Sequence, residues 1–133
     1  RFYLLGQSLE GMQVYDARRA IQAARDKQVV GDSPLWLQSR REMAGVALYA
    51  SLFEPNIKRL DLWSLPRSHR DGPALLNVQR FLDLPQTVAL AAEKSQVVLY
   101  PAEGDEAEWP YPKSVVDKLG WDAKQLQIRV IKK

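Results

Sequence analysis

The chain has 133 residues, the length of one domain, and with 46% apolar and 26% charged residues it has the composition of a packed globular unit rather than a disordered or fibrous one. Nineteen Lys and Arg against sixteen Asp and Glu leave a net charge of +3, with the basic residues dispersed among acidic ones, so a nucleic-acid-binding stripe is not expected, and no apolar stretch approaches the roughly 18 to 20 residues of a membrane span. Absence of cysteine excludes disulfides and thiolate metal sites, and a single histidine excludes a multi-histidine metal centre; no cofactor is expected.

Phe2-Tyr3-Leu4-Leu5 is an apolar run too short for its period to choose between strand and helix, and residues 6–11 read as a turn. From 11 to 27, Met12, Val14, Tyr15, Ala17, Ala20, Ile21 and Ala24 recur at three and four residues, which predicts a helix with one buried face. Gly31-Asp32-Ser33-Pro34 punctuates the chain, and Leu35-Trp36-Leu37 suits a short buried strand. Residues 42–53 are apolar nearly all round, the signature of a central helix, and Glu54-Pro55-Asn56 ends it because a residue before proline is pushed out of the helical region. A strand is predicted over 57–65, followed by a polar loop over 66–73. Helical spacing over 74–84, a break at Leu84-Pro85 and a helix over 86–94 come next. Gln96-Val97-Val98-Leu99-Tyr100 is rich in β-formers, 101–108 is an acidic loop, 112–119 is a short helix stopped by Gly120, and 126–131 alternates as a last strand. Strands alternating with helices predict an α/β fold: a mostly parallel sheet in a three-layer arrangement with helices on both faces, as one domain over 1–133.

In such sheets the working loops leave the carboxyl ends of the strands, here 38–42, 66–73 and 101–108. A strand, a sharp turn and a buried helix at 35–53 is the frame of a nucleophile elbow, in which a strained turn presents the reactive side chain. Setting Arg40-Arg41-Glu42-Met43-Ala44 on the elbow pattern puts Glu42 at the nucleophile position, with Ala44 small enough and Arg40 too large; a slipped register using Ser39 fits worse. An acidic residue there is also what a helix N-terminus favours on its own. Gly6-Gln7-Ser8-Leu9-Glu10-Gly11 approaches G-x-S-x-G with its last glycine one residue late, which makes Ser8 an alternative nucleophile or a simple cap. His69 is the only imidazole available for base catalysis, and loop fixation is its bland alternative. Asp105, within the cluster Glu103, Asp105, Glu106 and Glu108, is the acid a triad would use if the cluster is not simply solvated. Trp109, Tyr111 and Trp121, among prolines, suit either a sugar-stacking platform or a loop packed onto the core.

The run Met12-Gln13-Val14-Tyr15-Asp16-Ala17-Arg18-Arg19-Ala20-Ile21 resembles the G-M-x-V-W-D-x-x-R-A helix that precedes the nucleophile strand in acetyl xylan esterase-like and dienelactone hydrolase-like members of the α/β-hydrolase superfamily. Ala44 to Ala50 resembles the helix after their elbow, and a looser likeness runs through 57–65 and 96–100 to the end. The resemblance implies a serine at the elbow, an acid after the penultimate strand and a histidine after the last. This chain has Glu42, a candidate Asp105, and Lys132-Lys133 with no histidine. It therefore implies a degenerate domain, the later half of an eight-stranded sheet, from a longer bacterial protein that is secreted or periplasmic. An active carbohydrate esterase whose nucleophile is Ser8 or lies outside the chain is the alternative. A half sheet has an edge to be covered, so the expected partner is the N-terminal part of the parent chain or a second copy, with carbohydrate as a possible ligand class.

Overall fold

The computed structural model describes residues 9–66, 68, 83–102 and 109–130. Helix α1 (Leu9–Asp26) leads to strand β1 (Leu35–Arg40), helix α2 (Glu42–Phe53) and strand β2 (Ile57–Trp63); helix α3 (Leu84–Lys94), strand β3 (Gln96–Tyr100), helix α4 (Pro110–Leu119) and strand β4 (Leu126–Ile128) complete the order. The fold is α/β, a four-stranded sheet in the order β1-β2-β3-β4, parallel throughout, with helices packed on it, consistent with the three-layer class that the alternation predicts.

Local chemistry explains most element ends. Glu54 is extended and closes α2, as the following proline requires. Asp83 caps α3: its side chain accepts from the Leu84 N–H at 2.8 Å, while Gln86 reaches back to the Asp83 N–H at 3.2 Å. Pro85 therefore sits in the first turn of α3, where its missing N–H costs nothing, so α3 starts at Leu84 rather than at 86; the expected helix over 74–84 lies, apart from its last two residues, outside the described residues. Two prolines likewise open α4, which starts at Pro110 rather than Pro112, and Gly120 ends it at φ 65°, the left-handed value glycine accepts without strain. Leu9, Glu10 and Gly11 belong to α1, so the expected turn does not extend over them. The final strand stops at Ile128, short of the predicted 131.

Register decides what each face carries. Leu37 pairs with Leu60 and Ser39 with Leu62; Leu60 and Leu62 pair onward with Val97 and Leu99, and these with Leu126 and Ile128. This face joins Ala44 and Leu48 of α2, Leu84, Val88, Ala91 and Ala92 of α3, and Trp109 in one core, with Val14 and Ile21 of α1 packed against it. Leu60 and Leu62 are fully buried, and each such side chain contributes about 1.5–3 kcal/mol by leaving water. Among the described residues α1 packs on α2, α2 on α3 and α3 on α4. The other face carries Trp36, Gln38 and Arg40 from β1, Arg59, Asp61 and Trp63 from β2, and Gln96, Val98 and Tyr100 from β3.

At the amino end of the sheet, Arg25 in the last turn of α1 donates to four backbone carbonyls: Gly31 at 2.9 Å and Ser33 at 3.1 Å before β1, Pro55 at 3.0 Å and Asn56 at 3.3 Å before β2. Its Nε is buried without a hydrogen-bond partner. Close by, the buried Glu54 carboxylate accepts from Arg18 Nε and Gln22 Nε2, each at 2.9 Å, which ties α1 to the end of α2.

Candidate functional site at the carboxyl end of the sheet

Strand β1 runs to Arg40, three residues beyond the predicted strand, and α2 begins at Glu42. The whole turn between them is Arg41, at φ 54° and ψ −129°. This lies outside the ordinary left-handed basin and costs a residue with a Cβ about 1–3 kcal/mol. Backbone bonds hold it there. The Arg41 N–H donates to Trp63 O at 2.8 Å, continuing the β1–β2 ladder, while its carbonyl accepts from the Ala44 N–H at 3.0 Å, opening α2. The apex of the elbow is thus Arg41, one residue before the Glu42 that the sequence pattern placed there. Glu42 is the first residue of α2, exposed, where the helix dipole favours an acid. In this register the position two before the apex is Ser39, which is small, and the position two after is Met43, exposed and large.

The side chains beside the apex form a row across the strand ends. Arg40 pairs with Trp63, and Trp63 with Tyr100. The Arg40 guanidinium lies 5.6 Å from the Trp63 ring centroid. Trp63 and Tyr100 stack with centroids 4.3 Å apart and planes 4° from parallel. Both rings are half-buried, and Arg40 is exposed. Among the described residues, no ion pair or side-chain hydrogen bond engages the Arg41 guanidinium. Ser64, also at positive φ (51°), follows β2, and its N–H donates to Tyr100 O at 2.8 Å.

Further down the same face the polar groups satisfy one another. Asp61 is 1% exposed and accepts from Trp36 Nε1 and, at 3.2 Å, from both Nε and a terminal nitrogen of Arg59. Arg59 also lies over the Trp36 ring at 4.4 Å. A carboxylate so enclosed serves as the anchor of a structural cluster. Trp36, 56% exposed, covers one side of it.

The other sequence candidates are dispersed. Ser8, His69 and Asp105 lie outside the described residues. Ser68, next to His69 in sequence, donates to Asp83 Oδ2 at 2.9 Å, which ties Ser68 to the α3 cap. Trp109 is 4% exposed and part of the core, Trp121 packs against that core, and Tyr111 is 46% exposed on α4. A buried Trp109 offers no ring face to a sugar, so the three do not make a shared platform. One phenol, Tyr49 in α2, has its pKa raised, chiefly by burial and further by the Asp83 charge, against a lowering by its 3.0 Å hydrogen bond with Thr87.

Among the described residues, no strand pairs with the outer edge of β1, no group of three metal-ligating side chains is present, and no helix is long and apolar enough to cross a membrane. Compared with models of protein families, with curated proteins and with solved structures, the chain matches none. Sequence reasoning missed the Arg40, Trp63 and Tyr100 row. Its signal was available in the period of two, which places these residues on one face once the strand ends are known.

Proposed function

We propose that the chain is an α/β-hydrolase-like domain, similar to acetyl xylan esterases, whose elbow no longer carries a nucleophile and whose role is binding rather than ester hydrolysis. The observation that carries this reading is Arg41: a strained strand-to-helix turn held by two backbone hydrogen bonds, with a guanidinium at its apex. An elbow is costly to keep, and a loop without a presenting role has no need of it. A guanidinium stays protonated and cannot attack an acyl carbon. Glu42, one residue further, belongs to the helix and has left the apex.

The test is turnover of p-nitrophenyl acetate by the purified chain. The expected rate equals that of buffer alone. Turnover above that level which disappears in Glu42→Gln or His69→Ala would overturn the proposal and restore an esterase.

A further inference from the structure

The amino end of the sheet holds a cavity of about 480 Å³, at the opposite end from the elbow and independent of how that turn is read. The connections at this end, residues 27–34, 54–56, 95 and 120–125, all lie within the described residues. Glu54 lines the cavity, closes α2 and has a side chain only 4% exposed. Its Oε1 accepts from both Arg18 and Gln22, whereas Oε2 accepts nothing from the described residues. A buried carboxylate at a helix C-terminus is unfavourable twice, through desolvation and through the carbonyl dipoles, so an oxygen without a donor is costly there. With Oε1 turned to α1, Oε2 is the acceptor left to the cavity.

Two lysines line the same cavity. Leu35 pairs with Ile57 but Trp36 with Arg59, which makes Lys58 the extra residue of a bulge, a device that re-aims a side chain. Lys58 is exposed, and neither ion pair among the described residues involves it. Lys94 Nζ donates to Leu52 O at 3.1 Å, which sets it at the last turn of α2 with one of its three donors used.

We propose that this cavity binds a free α-amino acid, its ammonium on Glu54 Oε2, its carboxylate on the Lys58 and Lys94 ammoniums, and its side chain against Pro34 and Pro55. An oxygen that can only accept calls for a donor, and the carbonyl end of α2 favours a positively charged one. A plain amine would meet two lysines with nothing to offer them, and a plain anion would meet the Glu54 carboxylate. A zwitterion answers both charges at once. The volume falls within the range of small-molecule sites, about 300–1,000 Å³.

The test uses the whole chain and four probes, titrated while the Lys58, Ser95 and Gln96 amides at the cavity are followed by NMR. The probes are L-leucine, 4-methylpentanoate, which lacks its ammonium, 3-methylbutylamine, which lacks its carboxylate, and inorganic phosphate. Leucine is expected to shift these amides to saturation, and each of the two analogues to bind about tenfold or more weakly, as loss of a charge-assisted contact predicts. Lys58→Gln, altered at an exposed side chain, is expected to weaken leucine about tenfold while 3-methylbutylamine binds no more weakly than before. Glu54→Gln is expected to weaken leucine and to leave 4-methylpentanoate no weaker. Because Glu54 also holds α1, Lys94→Gln provides a further variant that leaves that contact in place, with a fall of the same sign as Lys58→Gln. Absence of saturable shifts with leucine, an analogue that binds as tightly as leucine, or unchanged leucine affinity in both lysine variants overturns the proposal. Phosphate binding tighter than leucine overturns the amino-acid class.

Discussion

The two faces of the sheet are built from the same four strands by alternation, yet they obey different chemistry. On the covered face Leu60, Leu62, Val97 and Leu99 meet three helices and are at most 1% exposed. On the other face the paired positions hold Arg40, Arg59, Asp61, Trp63 and Tyr100, which among the described residues stack and bond laterally with one another rather than with a helix, although Asp61 and Val98 there are at most 2% exposed. Within that face the division repeats. Its middle is closed around Asp61, while at its carboxyl end the described residues offer the Arg41 guanidinium no ion pair.

The largest effect that can break this comparison is Leu60→Ala, expected to cost about 2–5 kcal/mol in denaturant unfolding because a fully packed site cannot collapse around the cavity. A cost no greater than that of Arg40→Ala would erase the distinction between the faces. Next comes Asp61→Ala. Removing a buried acceptor leaves the Trp36 and Arg59 donors without their carboxylate, and about 1.5–3 kcal/mol is expected, with Asp61→Asn recovering part of it. If urea midpoints show no loss, the middle of that face is not a closed cluster. Tyr49→Phe, on the covered side, is expected to cost about 0.5–1.5 kcal/mol at neutral pH through its Thr87 hydrogen bond.

The same phenol adds a pH signature. Its folded pKa is raised, so its contribution is fully present below the ordinary tyrosine value of about 10 and is lost as pH rises through the folded pKa, because the unfolded chain ionises first. Melting curves above that pH should show the wild type losing this increment and Tyr49→Phe lacking that segment of the loss. The smallest effect has the opposite sign. Arg41→Gly relieves the strained turn but adds chain entropy to the unfolded state, for a net gain of about 0.5–1 kcal/mol. A destabilised variant would mean that the turn is not the strained point.

The elements were largely legible because their signals are local. The 42–53 helix has the observed bounds, since an apolar run closed by Glu54-Pro55 admits few alternatives. The parallel sheet followed from the alternation of strands and helices. Strand ends were less legible: Gln38, Ser39 and Arg40 are polar, so the apolar run seemed to end at Leu37, while ladder bonds to β2 carry the strand on. That shortfall displaced the elbow by one residue. A positive φ at an arginine has no signature in composition, because the backbone bonds to Trp63 and Ala44 impose it from outside. Pro85 misled for a related reason: a proline is read as a break unless the cap at Asp83 is recognised in front of it.

The clasp made by Arg25 works as an alignment pin. A strand that slips by one residue exchanges its faces, and for β1 that slip would send Leu37 to solvent and Gln38 into the core. The pairing of β1 with β2 already contains an irregularity between Leu35 and Trp36, so the ladder alone is a poor ruler at this end. One guanidinium gripping the chain just before each of the two strands sets their offset from outside the sheet. The position of Arg41, just beyond the six residues of β1, is thereby measured out from the far end of the sheet.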